Sequence, residues 1–339
     1  MGQSASFSCS RCSEPACIGA GETARCERHF REEFAHEVRR AVREFSMIKP
    51  RERVAVALSG GKDSVVLLHQ LAELRQKLPM ELLAILVDEG IAGYRPPTIA
   101  VARKACKKLG VPLHIVTFKS ETGKSLDSIL RRRGKGGARR AKGAPSTGAC
   151  TYCGVFRRLL LNKSARRLGA DKLALGHNLD DAAQTLLLNV YRNETDRLAR
   201  FWPVSREEKE GETPAAPRSG RRAETPDFIP RIRPLIRIPE REVALLAELE
   251  GYGIRHQSCP YANEAMRQTV RAQLNEMEDR YPGTKRRIFN AWMEMGKNEK
   301  STAARDASHA LQTCKTCREP SSQDECVACR MKREIAGKK

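Results

Sequence analysis

The chain has 339 residues, 40% of them hydrophobic and 30% charged, which is enough apolar material for a packed core in about two domains. Lys and Arg number 62 against 41 Asp and Glu, giving a formal net charge of +21. This surplus favours a polyanionic partner, with nucleic acid ahead of an anionic membrane, over a basic surface without one. No apolar run approaches the ~18 residues of a membrane span, and the N-terminus is unlike a secretory signal.

Twelve cysteines give the next constraint, because most of them stand in C-x-x-C or C-x-x-H pairs. A disulfide framework is unusual in a chain of this length, so we expect free thiols in the cytoplasm. Two residues between ligands let both side chains turn toward one metal ion. We therefore predict two Zn²⁺ modules, in residues 1–31 and 301–339. Their predicted ligands are Cys9, Cys12, Cys26 and His29, then Cys314, Cys317, Cys326 and Cys329. For His29, an ordinary surface position is the alternative.

Residues 32–300 lie between these modules and alternate short apolar runs with segments of helical periodicity. The predicted strands are 53–58, 82–87, 113–118 and 172–175. The predicted helices are 32–47, 65–74, 97–109, 154–168, 180–191, 239–252, 264–281 and 284–295. This alternation predicts an α/β fold with a Rossmann-like parallel sheet, covered by helices on both faces. Residues 120–148 and 203–227 break the pattern and are predicted to be mobile insertions.

The segment Ser59-Gly-Gly-Lys-Asp-Ser64 follows the first predicted strand and opens a helix. Its glycines let the backbone approach a phosphate, and a helix N-terminus offers free N–H groups. The spacing is not that of a Walker A loop. The S-G-G-x-D-S pattern instead resembles the PP-loop of N-type ATP pyrophosphatases, which adenylate a substrate oxygen and release pyrophosphate. A purely structural turn is the alternative.

Adjacent carboxylates, Asp180 and Asp181, follow the strand predicted at 172–175. Because the carboxyl ends of parallel strands share one edge of the sheet, these side chains are expected near the loop. Carboxylates beside a phosphate site predict Mg²⁺. An Asp that caps the following helix is the alternative, and one Asp could cap while the other holds the metal.

Three cysteines outside the zinc modules are the candidates for a further cofactor. Cys150 and Cys153 open the helix after the basic stretch, and Cys259 comes later in a Cys-Pro pair. Three thiolates suit a [4Fe–4S] cluster with one iron left open. A redox dithiol at Cys150 and Cys153, or a third zinc site, remains the alternative. Cys106, inside a predicted helix, is interpreted as buried packing.

Taken in order, these motifs resemble the TtcA/TtuA family of tRNA 2-thiolation enzymes, over nearly the whole chain except 203–227 and the last ten residues. The segment 150–158, Cys-Thr-Tyr-Cys-Gly-Val-Phe-Arg-Arg, is most similar to the archaeal and eukaryotic cytosolic branch, which thiolates the wobble uridine. The branch that thiolates a T-loop uridine is the near alternative. The resemblance implies the PP-loop fold, a [4Fe–4S] cluster on Cys150, Cys153 and Cys259, and a tRNA substrate.

The resemblance also implies residue roles. The implied ATP contacts are Ala57, Leu58, Ser59, Gly60, Gly61, Asp63, Ser64, Val87, Arg157, Gly176 and Asp181. The implied catalytic residues are Lys62, Asp63, Arg157, Asp181, Cys150 and Cys153. Some members have Lys where this chain has Arg157, so charge stabilisation is expected there rather than proton donation.

The reaction so implied is adenylation of the uridine C2 oxygen, followed by its replacement with sulfur delivered at the cluster. The sulfur donor would be sulfide or a thiocarboxylated ubiquitin-like protein, and the enzyme would act as a homodimer or heteromer. The basic run before Cys150 is predicted to bind RNA through Arg131, Arg132, Arg133, Arg139 and Arg140, with a solvated charge run as the alternative. A PP-loop ligase, or a noncatalytic zinc protein that binds RNA, is the other class of function considered.

Overall fold

The structure, a computed structural model, describes residues 7–135, 148–194, 202–205, 228–254, 259–261, 266–299 and 312–337. The strands of the central sheet are β1 (Arg53–Ala57), β2 (Glu81–Asp88), β3 (Leu113–Thr117), β4 (Lys172–Ala174), β5 (Val204–Ser205) and β6 (Arg231–Ile232). Within the described residues they form a six-stranded sheet in the order β3-β2-β1-β4-β6-β5. Neighbouring strands are parallel except for β5, which pairs antiparallel with β6 at the edge. The predicted parallel α/β fold is confirmed.

Helices cover both faces of this sheet. They are α1 (Glu27–Glu44), α2 (Lys62–Leu74), α3 (Arg95–Leu109), α4 (Phe118–Thr122), α5 (Leu126–Lys135), α6 (Ala149–Arg167), α7 (Leu179–Tyr191), α8 (Glu240–Leu249), α9 (Met266–Arg280), α10 (Thr284–Glu299) and α11 (Val327–Ala336). Strand β1 shows why two layers are needed, since all three central residues are fully buried. Val54 and Val56 pack into the core under α1–α3, and Ala55 into the core under α4–α6.

The first predicted insertion differs from the structure, which places α4 and α5 within residues 118–135. Phe118, Leu126 and Ile129 are buried and anchor these helices to the core under α6. Helix α6 begins at Ala149, five residues earlier than predicted, so Cys150 lies in its first turn and Cys153 at the start of its second. Residues 136–147, and 206–227 of the second insertion, lie outside the described residues.

The C-terminal segment forms a small unit with its own strands and helix. Strand β7 (Gln312–Thr313) pairs antiparallel with β8 (Pro320–Ser321), and α11 follows. Ala328 and Met331 on α11 are buried in the same core as Tyr152 and Phe156 of α6. Among the described residues, no helix is long and apolar enough to cross a membrane.

Candidate functional site

The loop between β1 and α2 is a tight turn that is stabilised by hydrogen bonds between its own residues. The Ser64 hydroxyl donates to the Gly61 carbonyl at 3.0 Å and accepts the Ser59 N–H at 3.1 Å. Gly61 is the N-cap residue of α2, so the free N–H groups of the first helical turn face the open side of the loop. This is the geometry expected of a phosphate site.

Two glycines permit close backbone approaches around this loop. Gly60 has a φ of +81°, and a Cβ on it would lie 2.1 Å from the Thr98 carbonyl oxygen. Gly176, which follows β4, has no positive φ, but its Cβ would lie 2.9 Å from the carbonyl carbon of Asp63. Both positions therefore require glycine for steric reasons.

A network of charged and amide groups lies at the mouth of the loop. The Lys62 ammonium contacts Asp63 at 3.1 Å and Glu240 at 2.7 Å, and the Asn178 amide donates to Asp63 at 2.9 Å. Asn178 also accepts the Asp181 N–H at 3.0 Å. Burial lowers the pKa of Lys62, but Asp63 and Glu240 outweigh it and raise that pKa, so the lysine is a cation.

Asp181 is the second carboxylate at this mouth. Its surroundings, with burial first and the Asp63 carboxylate next, raise its pKa to about 6. Two carboxylates that repel each other across a polar opening fit a divalent cation, which would neutralise both. Asp63 and Asp181 are therefore the residues suited to Mg²⁺.

Asp180 has a structural role instead. It is 4% exposed, pairs with the buried Lys285 ammonium, and accepts the Glu240 N–H at 2.7 Å. The N-cap of α7 is Asn178 and not an aspartate, but Asp181 completes a capping box by accepting the Asn178 N–H at 3.3 Å, so one aspartate does take part in capping this helix. The amide oxygen of Asn178 already satisfies the helix N–H that an aspartate would have capped.

Helix α9 completes the site with residues that the sequence did not single out. A cavity of about 370 Å³ is lined by Lys62, Asp63, Tyr94, Asn178, Asp181, Gln184, Glu240, Arg267, Gln268 and Arg271. Arg267 lies 3.5 Å from Asp181, and Arg271 lies 2.9 Å from Glu240. The cavity thus combines cations suited to a polyphosphate with carboxylates suited to its metal ion.

The remaining predicted ATP residues lie on the same edge of the sheet. Ala57 ends β1, and Leu58 follows it and is buried. Val87, near the end of β2, is 5% exposed, and its carbonyl accepts a hydrogen bond from Arg95. The structure therefore brings these positions to the carboxyl ends of β1 and β2, where ligands of parallel sheets bind.

The three candidate cluster cysteines form a rim beside this edge. The Cys150 thiol is exposed and lies 3.5 Å from the carbonyl oxygen of Tyr261, two residues after Cys259. Burial raises the pKa of Cys153 to about 11, against the opposing charge of Arg157, and Cys259 and Cys150 raise it further. Cys153 and Cys259 pack against the same core cluster, but the three thiols do not come within 4.8 Å of one another as the zinc donors do. The cysteine ligands of an iron–sulfur cluster each bind a different iron. Their sulfur atoms therefore need not come as close together as the ligands of one zinc ion.

Arg157 connects this rim to the sheet edge. It donates to the Cys153 sulfur at 3.2 Å and to the Glu89 carboxylate at 2.7 Å. Burial alone would lower the pKa of Arg157, but Cys153 and Glu89 raise it, so the residue is a permanent cation. A fixed cation beside Cys153 suits an anionic group held by the cysteines.

Each predicted zinc module brings its four donors together within 4.8 Å. Tetrahedral zinc with Zn–S bonds of about 2.3 Å separates two sulfurs by about 3.8 Å. The observed separations are 3.7 Å for Cys12 and Cys26, 3.6 Å for Cys317 and Cys326, and 3.9 Å for Cys314 and Cys329. His29 presents Nδ1 to all three thiols of its group at 3.3–3.5 Å. Both groups fit a zinc ion.

The predicted RNA-binding run is only partly described. Arg131 is exposed near the end of α5. Arg132 and Arg133 continue the helix, but their side chains lie outside the described residues, as do Arg139 and Arg140 entirely. The predicted packing role of Cys106 is confirmed, since it is 3% exposed on α3.

Comparison with known proteins agrees with this geometry. The family model of the PP-loop domain matches residues 30–278. The tRNA 2-thiolation protein NcsA of Haloferax volcanii is 33% identical over 333 residues, which cover 95% of this chain and 97% of that protein. The chain belongs to the PP-loop family of tRNA 2-thiolation proteins.

Two further members of this thiolation family differ in the uridine that their names specify. The tRNA-5-methyluridine(54) 2-sulfurtransferase of Pyrococcus horikoshii is 34% identical over 91% of this chain and 89% of its own. The solved U34-tRNA thiolase NcsA of Methanococcus maripaludis, described with its [4Fe–4S] cluster, is 30% identical with a TM-score of 0.73. That alignment covers 97% of this chain and 96% of the thiolase.

Proposed function

We propose that this protein is an ATP-dependent tRNA 2-thiolation enzyme that replaces the C2 oxygen of a uridine with sulfur. The single observation that carries the proposal is the juxtaposition of the PP-loop edge and the three-cysteine rim, where Arg157 joins Cys153 to Glu89 directly after β2. An ATP-dependent ligase needs the first and not the second. A noncatalytic RNA-binding protein needs neither.

The first step would be adenylation of the uridine. The C2 oxygen attacks the α-phosphorus of ATP, and the bond to pyrophosphate breaks. Lys62, fixed between Asp63 and Glu240, would neutralise charge on the departing pyrophosphate, and the N-terminus of α2 would hold its oxygens. Asp63 and Asp181 would hold Mg²⁺, which screens the same charge.

The second step would be attack of a sulfide on C2, which releases AMP together with the original oxygen. Cys150, Cys153 and Cys259 would ligate a [4Fe–4S] cluster. With only these three cysteines as protein ligands, such a cluster would supply Lewis-acid chemistry. Arg157 would stabilise negative charge on this rim without donating a proton, since its cation is permanent. A persulfide on Cys150 or Cys153 is the rival route, and it would need a different donor, one that transfers sulfane-level sulfur, because sulfide and a thiocarboxylate are two electrons too reduced to form a persulfide.

We further propose that the two four-donor groups hold structural Zn²⁺ and that the enzyme acts in the cytoplasm as a homodimer or heteromer. The fit of both groups to tetrahedral spacing supports the zinc, and the free cysteines support a reducing compartment. The sulfur donor would be sulfide or a thiocarboxylated ubiquitin-like protein. Metal analysis of the purified protein should give about two zincs per chain in addition to iron.

The product of ATP cleavage tests the chemistry. Incubation with ATP, sulfide and unmodified tRNA should release AMP and pyrophosphate, whereas ADP as the main product would remove the PP-loop mechanism. Asp63→Ala should abolish thiolation, because Asp63 anchors both Lys62 and Asn178 at the mouth of the loop. The same variant should bind tRNA as the parent protein does, because Asp63 lies in the ATP cavity.

The wobble uridine is the proposed target, with a T-loop uridine as the alternative. The likeness to the U34-tRNA thiolase over nearly the full length of both chains supports the former. Mass spectrometry of tRNA nucleosides from a deletion strain, with the position mapped by nuclease fragments, decides between them.

Binding of the tRNA backbone is proposed for the basic run that begins at Arg131. Phosphate contacts release counterions, so affinity should fall with salt by a slope of roughly one per contact. Replacing Arg131, Arg132 and Arg133 together by Gln should flatten that slope and leave ATP affinity unchanged. An unchanged slope and affinity would place the tRNA path elsewhere.

A further inference from the structure

The Glu89 carboxylate lies between the two halves of the site. Its Oε1 accepts hydrogen bonds from Arg157 at 2.7 and 3.0 Å, and its Oε2 lies 2.7 Å from the Arg95 guanidinium. Glu89 is 2% exposed and comes directly after β2. The Glu89–Arg95 contact is an ion pair and not a hydrogen bond, since neither Oε2 of Glu89 nor Nε of Arg95 has a hydrogen-bond partner. The carboxylate thus attracts both guanidinium groups, but only Arg157 donates hydrogen bonds to it.

On the side of the ATP cavity, Arg95 holds the PP-loop. Its guanidinium donates to the Ser59 carbonyl at 3.0 Å, to the Thr98 hydroxyl at 3.1 Å and to the Val87 carbonyl. Arg95 is 3% exposed, so these bonds are shielded from water. The first residue of the loop and the end of β2 are thus tied to one side chain, which Glu89 in turn orients.

On the side of the cysteines, Arg157 holds Cys153. Its guanidinium lies 3.2 Å from the Cys153 sulfur, and the side chain is 47% exposed, so it borders the open rim. Hydrogen bonds to a ligand sulfur raise the reduction potential of a cluster. The orientation of Arg157 therefore acts on whatever the cysteines hold.

The charges of this group explain why Glu89 matters. Arg95, Glu89 and Arg157 together carry a net charge of +1, and the surplus lies on Arg157, whose side chain is partly solvated at 47% exposure. The contact of Arg157 with Cys153 supplies the compensation when the sulfur is a thiolate, as it would be as a cluster ligand. The net positive charge of Arg95, Glu89 and Arg157 is thus neutralised by the thiolate of a ligated Cys153. Glu89 contacts both arginines of this group.

We propose that Glu89 is a positioning residue that couples the ATP site to the cysteine rim, holding Arg157 on Cys153 and, through Arg95, holding Ser59 of the PP-loop. This inference rests on the proposed function, because it assumes ATP on one side and a cluster on the other. The competing interpretation is an ion pair that only stabilises the fold.

The test compares Glu89→Gln with Glu121→Gln. Glu121 is a matched control because it also bridges two cations, Lys163 and Lys332, away from the cavity. Two readouts are made on each variant: ATP affinity of the cluster-free protein by calorimetry, and the midpoint potential and EPR spectrum of the reconstituted cluster without ATP. A purely structural role would move the unfolding temperature and neither readout.

In Glu89→Gln we expect ATP affinity to fall about tenfold, which corresponds to about 1.4 kcal/mol for loss of the buried ion pair that orients Arg95. We expect the EPR line shape to change, because Arg157 is released from the sulfur. The midpoint potential should fall in Glu89→Asp, which keeps the carboxylate charge, whereas in Glu89→Gln the loss of that charge opposes the fall. In Glu121→Gln both should match the parent protein. Should Glu89→Gln fail to fold, Glu89→Asp keeps the charge but shortens the reach, and the same two-sided loss is expected.

A folded Glu89 variant with both readouts at parent values overturns the coupling, and so does a change on one side only. If the parent protein itself binds neither ATP nor iron, the proposed function falls and the coupling falls with it. The two failures are therefore distinguishable, since the first leaves the parent protein fully active.

Discussion

Gly60 offers a sharp test of whether the backbone shape of the PP-loop sets ATP affinity. With φ at +81°, a Cβ here would lie 2.1 Å from the Thr98 carbonyl oxygen, a contact that real structures do not contain. In Gly60→Ala the left-handed backbone alone costs about 1–2 kcal/mol, and relief of the clash must displace either the loop or the start of α3. We take about 2 kcal/mol as the cost of restoring the binding geometry, which is about thirtyfold in ATP affinity.

Gly61→Ala is the matched control, one residue away in the same loop. Gly61 has no positive φ, and the nearest atom to its added Cβ is the Ser59 hydroxyl at 3.4 Å, an ordinary contact. ATP affinity should stay within about fivefold, since Ala at an N-cap costs less than about 1 kcal/mol relative to Gly. Calorimetry on the cluster-free proteins, with thermal unfolding as a check of folding, measures both. A Gly60→Ala protein that binds ATP as tightly as Gly61→Ala would refute the reasoning.

Three further predictions use other parts of the molecule. Cys259→Ala should lose iron after anaerobic reconstitution and keep both zincs, as measured by metal analysis; iron at the parent level would remove Cys259 from the ligand set. Arg271→Gln should leave the unfolding temperature within a few degrees, because its pair with Glu240 is 44% exposed on the arginine side, but should weaken ATP binding by calorimetry; unchanged affinity would exclude Arg271 from the phosphate site. Burial lowers the pKa of His69 to about 4 and that of His177 to about 3. Both side chains favour the neutral form in the folded protein, so the free energy of unfolding should be unaffected by them above pH 6.5 and should decrease as the pH falls toward 4. Urea unfolding across this range should show the decrease, and a flat profile would contradict it.

The sheet was predictable where its strands are fully buried. Central parallel strands carry continuous apolar runs, and the runs at β1 and β2 clearly indicate buried strands. Strands β5 and β6 were missed because two residues give no periodicity, and Arg231 interrupts the only apolar pattern near β6. Helices α4 and α5 were missed because the basic run that follows Leu130 masks the spacing of Leu126 and Ile129, which are buried in the structure.

The site was predictable where a motif has local spacing. The loop 59–64, the zinc ligands and the cysteine pair on α6 are of this kind. Arg267, Arg271 and Glu240 line the cavity, yet each is an ordinary charged residue near the start of its helix. Their role depends on how α8 and α9 pack against the sheet edge. Glu89 and Arg95 likewise gain their role from burial, which cannot be predicted from the sequence because charged residues are usually exposed.

The C-terminal zinc group and the cluster cysteines are linked through one helix, α6. Glu319, beside the zinc group, is 6% exposed and binds both Asn162 and Arg166 of α6. At the other end of that helix, Tyr152, adjacent to Cys153, donates to Glu334 of α11 at 3.1 Å. A unit with two-residue strands has little core of its own, so a metal held by its four cysteines would supply much of its folding energy. That metal would therefore also support the helix whose N-terminal end presents Cys150 and Cys153, which gives a physical reason for a zinc group that lies away from the ATP cavity.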